Sequence, residues 1–368
     1  MIEPFEIAVP EATIADLRER LRATRWPAGF ADSGGVPLPQ MREVVRYWRD
    51  DYDWKAQQRA LNRLPHFRTS VGGQRLHFLH LRSDSAAALP LLLIHGWPGS
   101  FVEMLEVLPL LAPSFHVVVP SLPGYGFSDP PESAGMSNAR IADLLAELMT
   151  ALGYERFGAQ GGDWGAGIAT WLARKFPSRL IGIHLNYIPG SYAPPGEPPP
   201  SPEEQAFLKE KDAWMWASGA YGHVQCTRPL TLGYGLSDSP AGLAAWILEM
   251  FWEWADPAGH LSLDALLTNV TLYWVTNTIA SSVRLYLESL RTPLRFNQSE
   301  RLGVPCGIAH FPREAPFPPR SWVERVYDVK RWTEMPRGGH FAALEQPELL
   351  AEDVVAFFPG TLGIEQDR

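Results

Sequence analysis

The five residues Gly161-Gly-Asp-Trp-Gly165 carry the sharpest chemical signal in this sequence. They lie where an apolar run gives way to an amphipathic one, so a strand hands over to a helix there. A turn that tight needs small residues on both sides of an exposed side chain. This is the logic of a nucleophile elbow, with Asp163 where serine is commoner. A hydroxyl needs a base to become nucleophilic, whereas a carboxylate at a helix N-terminus is ionised at neutral pH and helped to stay so by the helix dipole. Asp163 is therefore a candidate nucleophile toward a strained or activated carbon. The plain alternative is an N-capping aspartate, and five residues alone do not separate the two. A dinucleotide-binding reading of the same glycines fails, because the spacing is imperfect and a carboxylate in the turn would repel pyrophosphate.

An elbow nucleophile works with an oxyanion hole. One donor is the N–H of the following residue, here Trp164, and the other comes from the loop after an earlier strand. His95-Gly-Trp-Pro-Gly-Ser100 follows such a strand and offers the N–H of Trp97, while His95 suits holding that loop. Among 10 histidines, only His340 sits in a Gly-Gly-His turn between a late strand and the last helix, where a triad base belongs. The orienting acid belongs just beyond the strand over residues 304–310, which points to Glu314, with Glu324 and Asp328 as competitors. There is no H-E-x-x-H, and His223-Val-Gln-Cys226 is a lone pair without further ligands nearby, so neither a metal nor another cofactor is expected.

The elements that must position these groups are legible as an α/β alternation. Ile14, Leu17 and Leu21 recur at helical spacing ahead of Pro27, and a second, aromatic helix follows from Pro39. From about residue 68 the period changes: residues 75–81 alternate as a half-buried strand should, after a hairpin turn over 71–74. Apolar runs at 90–95 and 116–120 read as buried parallel strands. A helix over 140–152 ends at Gly153, and a strand (156–160), a helix (164–176) and a strand (180–188) follow. The prolines of 194–202 break the pattern. A Trp- and Tyr-rich helical stretch runs to about 295, and Glu249 and Glu253 within it argue against a membrane span. Strands at 304–310 and 328–334 and a helix at 347–358 then close the core.

Composition sets the outer limits. With 368 residues, 46% of them hydrophobic, and 14 Trp, the chain has ample material for a core and an aromatic cavity. A net charge of -9 without a basic block argues against nucleic acid and anionic lipid as partners. Cys226 and Cys306 form no C-x-x-C pair, which favours a reducing compartment. No apolar run is long enough to cross a bilayer.

Together these motifs resemble the microsomal-type epoxide hydrolases of the α/β-hydrolase superfamily. The likeness runs from Thr24-Arg-Trp-Pro27 through the 95–100 and 161–165 motifs to Gly338-Gly-His-Phe-Ala-Ala343. It includes His223-Val-Gln-Cys-Thr227, Asp238-Ser-Pro-Ala-Gly-Leu-Ala-Ala245 and Leu266-Leu-Thr-Asn-Val270 in the helical stretch. The resemblance implies an α/β-hydrolase fold with a mostly parallel sheet, divided into an N-terminal meander (1–67), a first core part (68–193), a helical cap (194–300) and a second core part (301–368). It implies Asp163 as nucleophile, His340 as the base that activates water and Glu314 as the acid that orients it. Tyr221 and Tyr286 match the cap tyrosines that hold the epoxide oxygen. The implied partners are a small-molecule epoxide and water, giving a vicinal diol without a cofactor; a homo-oligomer is compatible with the sequence. Membrane-bound relatives carry an apolar anchor ahead of the meander, whereas here the meander begins almost at Met1. A soluble, bacterial-type, cytoplasmic enzyme is expected. The rival is a haloalkane or haloacid dehalogenase, which shares the aspartate but must stabilise a leaving halide.

Overall fold

Short apolar runs that must hide both faces build the centre of this molecule. The computed structural model describes residues 1–28, 34–196, 198–259 and 261–361. Residue 197 of the proline-rich stretch and positions 362–368 of the last segment lie outside the described residues. The strands are β1 (Glu3–Pro4), β2 (His66–Val71), β3 (Gln74–Leu81), β4 (Leu89–Ile94), β5 (Phe115–Pro120), β6 (Phe157–Gly161), β7 (Leu180–Leu185), β8 (Pro305–His310) and β9 (Asp328–Glu334). They form one sheet in the order β1-β2-β3-β5-β4-β6-β7-β8-β9. The first three pairings are antiparallel and the rest parallel. Leu91 to Ile94 and Val117 to Val119 are fully enclosed, as both-face burial of a parallel sheet demands.

Two features depart from the sequence expectation. The sheet begins earlier than residue 68, because β2 starts at His66 and the two-residue β1 adds an edge. A two-residue strand has no period to detect. β3 is also buried from Leu76 through His80 instead of alternating. Phe5 and Phe101 pack on His77 from one side, and Tyr154 bonds His80 from the other, so neither face meets water. The hairpin turn is as expected, with Gly72 and Gly73 at φ 52 and 79, where L side chains are strained.

Between β7 and β8 the described chain is helical: Pro202–Ala217, Ala220–Thr227, Pro229–Asp238, Pro240–Trp254, Leu263–Thr276 and Ile279–Leu290. In the helix Pro240–Trp254, Leu243, Ile247, Leu248 and Phe251 are fully buried. The helix Leu263–Thr276 is locked to the rest by polar bonds in an apolar setting, which fix a single register. Trp48 Nε1 donates to Thr271 Oγ1 at 2.9 Å from the N-terminal helix Leu38–Asp50. Asn269 receives Ser100 Oγ–H at 2.7 Å and donates to Pro98 O at 2.8 Å, and Tyr273 donates to Gly99 O at 2.7 Å. The helical layer thus grips the loop that follows β4. No helix among the described residues is long and apolar enough to cross a membrane.

Candidate active site

β6 ends at Gly161 and the helix Asp163–Lys175 starts two residues on. Asp163 itself has φ 45, a left-handed conformation that a non-glycine residue holds only when its surroundings impose it. The imposition is steric: a Cβ on Gly165 would lie 2.0 Å from Ile94 O, so the helix runs tight against β4. Gly162, not Asp163, occupies the capping position. The Asp163 carboxylate instead reaches across to the loop after β4, where Oδ1 accepts from Trp97 N at 2.7 Å. The Trp164 N–H bonds the same carboxylate. Both expected oxyanion donors therefore converge on this group, and a side chain at Gly96 would collide with it, its Cβ 2.4 Å from Oδ1.

His340 lies in the loop after β9, its own N–H tied to Trp254 O at 3.1 Å. Its Nδ1 is 2.7 Å from Glu314 Oε2 and its Nε2 3.7 Å from Asp163 Oδ2. Among the three candidate acids the packing brings only Glu314 to the histidine. Glu324 pairs with Arg320 and Asp328 with Lys330. His95 is buried and structural: Nε2 accepts from Leu122 N at 3.1 Å, Nδ1 donates to Gly96 O at 3.0 Å, and burial pushes it down to about 4.

Charge is balanced within this cluster. Burial pushes the Asp163 carboxyl up, and His340 with the two N–H groups offsets this only in part, so it stays above its ordinary value. Burial pushes His340 down, but the charge and hydrogen bond of Glu314, then Asp163 and Glu103, overcome it and raise it to about 9.

Tyr221 stands on the helix Ala220–Thr227 and Tyr286 on Ile279–Leu290. Their hydroxyls are hydrogen-bonded and their rings meet edge to face at 6.0 Å. Tyr286 packs on Trp164 at 4.6 Å and Tyr221 stacks on Trp97 at 5.8 Å, so both phenols sit over the two residues whose N–H groups bond Asp163. Burial, and for both the nearby Asp163, holds each phenol above its ordinary value, hence protonated. From this cluster a cavity of about 440 Å³ leads outward, walled by Tyr187, Trp214, Trp254 and Trp322. One site residue had no signal in the sequence: Glu103, a buried carboxyl from the 3-10 turn Phe101–Met104, lines the same centre.

The family described as epoxide hydrolase N terminus matches residues 2–104, and the alpha/beta hydrolase fold matches 90–223. Epoxide hydrolase 1 of Sus scrofa is 36% identical, over 97% of this chain and 88% of its own. The chain belongs to the epoxide hydrolase family. Solved members show the same architecture. The epoxide hydrolase of Aspergillus niger superposes with a TM-score of 0.88 at 32% identity, covering 98% of this chain and 97% of its own. The juvenile hormone epoxide hydrolase of the silkworm Bombyx mori superposes with a TM-score of 0.86 at 32% identity, covering 100% and 95%. This epoxide hydrolase family member is thus an α/β-hydrolase enzyme with a mostly parallel sheet.

Proposed function

We propose that this enzyme adds water to an organic epoxide through an alkyl ester on Asp163. The observation that carries the reading is the Asp163 carboxylate between two sets of groups. Trp97 N bonds Oδ1 at 2.7 Å, and His340 Nε2 faces Oδ2 at 3.7 Å, with the paired phenols of Tyr221 and Tyr286 above the same loop. A carboxylate oxygen of Asp163 attacks one epoxide carbon, the ring C–O bond breaks, and a phenol gives its proton to the resulting alkoxide. Water then gives a proton to His340 Nε2 and attacks Cγ of Asp163, and the oxyanion is held by the N–H groups of Trp97 and Trp164. The ester C–O bond breaks, the departing oxygen takes the His340 proton, and the regenerated carboxylic acid returns its proton to the phenolate.

The electrostatics favour this order. Alkylation removes the Asp163 charge, one of the influences that hold the His340 proton, so the imidazolium releases that proton to solvent and a neutral Nε2 is ready to accept one from water when the ester is hydrolysed. Glu314 keeps the ring oriented through both steps. The dehalogenase alternative loses ground at the phenols, since a departing halide has no use for the proton they carry. The unpaired cysteines 226 and 306 suit a reducing compartment, and a cytoplasmic location is part of the proposal.

The experiment is an intact mass of His340→Ala after exposure to styrene oxide. A stable adduct equal to the whole epoxide supports ring opening on Asp163. No adduct, together with full turnover by Asp163→Asn, sinks it.

A further inference from the structure

Glu103 is a carboxyl beside the reacting atoms with no part in ring opening or in orienting His340. It helps to line a chamber of about 20 Å³, room for one ordered water, together with Asp163, His340, Gln160, Trp97 and Asn186. Two oxygens of this lining, Glu103 Oε1 and Gln160 Oε1, are shut off from solvent and have no hydrogen-bond partner among the described residues. Gln160 is 1% exposed and its Nε2 is committed to Asn186 Oδ1 at 2.8 Å. Buried acceptors of this kind are normally satisfied by protein or by water, and a polar chamber large enough for one water supplies the means.

The backbone is shaped around the Glu103 carboxyl. A Cβ at Gly99 would fall 1.0 Å from Oε1, so the glycine leaves the space the side chain fills. Burial pushes Glu103 up to about 8, Asp163 adding to the effect and His340 and the Ser100 backbone opposing it. The facing titratable groups are Asp163, His340 and, on the helix above, Tyr273. That rise favours the protonated form of Glu103, which eases the placing of a third carboxyl beside Asp163 and Glu314.

We propose that Glu103 positions the hydrolytic water: its Oε1 accepts one hydrogen of that water while His340 Nε2 takes the other, leaving a lone pair for the ester carbonyl of alkylated Asp163. No bond to Glu103 forms or breaks, and its own proton stays in place. The inference rests on the alkyl-enzyme reading above and concerns only its second half.

The test is single-turnover rapid quench with styrene oxide, following adduct formation and decay by intact mass in the wild-type protein, Glu103→Ala, Glu103→Leu and Glu103→Gln. In the alanine and leucine proteins adduct forms at the wild-type rate and decays about 100-fold more slowly, the scale set by losing the placement of one reactant. The glutamine, a neutral isostere that keeps the acceptor, rescues decay to within about tenfold of the wild-type rate. A general structural role would instead slow both steps together. Equal slowing of both steps, or decay at the wild-type rate in either deletion, overturns the proposal; two deletions guard against one that fails to fold. If His340→Ala never carries an adduct, the ring-opening reading falls first and this inference with it, an outcome distinct from a change confined to decay.

Discussion

Glu314 and His340 come from loops after different strands, β8 and β9, yet Oε2 and Nδ1 meet at 2.7 Å with both side chains nearly closed off from water. That contact fixes the ring so that Nε2 addresses Asp163. It also supplies the largest influence raising the His340 proton affinity against burial. Glu314→Gln keeps the shape and removes the charge. Its expected effect is decay of the alkyl-enzyme slowed by about 100- to 10,000-fold, the range for a general base held wrongly. Because Glu314 raises His340, its removal shifts the pH limb of adduct decay toward lower pH. Rapid-quench decay measured across pH checks both; an unshifted limb would remove Glu314 from the triad.

On the proposed mechanism the phenols act in the other half-reaction. Tyr221→Phe and Tyr286→Phe are each expected to slow adduct formation by about 100-fold while leaving adduct decay unchanged. Burial lifts both phenols above their ordinary range, so their deprotonation does not limit adduct formation at moderately alkaline pH. Stopped-flow Trp fluorescence is the readout, since Trp164 packs on Tyr286 and Trp97 on Tyr221. Slowing confined to decay would contradict the assignment.

How much of this was visible in the sequence depends on the range of the interaction that makes each feature. The elbow was legible because Gly161, Asp163 and Gly165 are neighbours whose spacing already encodes a strained turn. His340 was legible from its glycines and its place before the last helix. The acid was legible only in part: its place just beyond β8 pointed to Glu314, but Glu324 and Asp328 stayed open as letters, and only the folding of the loop after β8 brings Glu314 to His340. The tyrosines depended wholly on resemblance, because half-buried phenols are common and their pairing across two helices has no local signature. Glu103 was invisible for the same reason, as its burial is created by chain segments that meet only in the fold. The covered faces of β3 were misjudged because partial alternation was read as solvent exposure.

Two site groups bind protons more tightly in the folded protein than in the open chain. Glu103 rises from 4.5 to about 8, and His340 from 6.5 to about 9. A raised value contributes stability that is complete below the unfolded value and is lost as pH climbs through the folded one. The melting temperature should therefore fall as pH rises from about 4.5 to 9 through these groups. Glu103→Gln should flatten the part of the fall below about 8, because the neutral amide has no proton to lose. Calorimetric Tm against pH decides it, and parallel curves for the two proteins would show that Glu103 is not proton-bearing in the fold.

The loop after β4 owes its place to the helical layer as much as to the sheet. Asn269, 3% exposed, bonds Ser100 Oγ at 2.7 Å and Pro98 O at 2.8 Å, just after Trp97, the residue whose N–H holds Asp163. Asn269→Leu retains bulk but strands a buried carbonyl and a buried hydroxyl, each costing about 1 to 3 kcal/mol. Tm should fall accordingly, which in a chain of this size is a shift of several degrees. Trp97 N–H would lose its aim, and with it part of the oxyanion hole, so adduct decay should slow by up to about 100-fold. Tyr273→Phe frees Gly99 O, bonded at 2.7 Å, and removes the phenol's contact with the Ser282 hydroxyl, and should show a smaller effect of the same kind. A large loss of Tm with an unchanged decay rate in Asn269→Leu would mean that the sheet alone positions the loop.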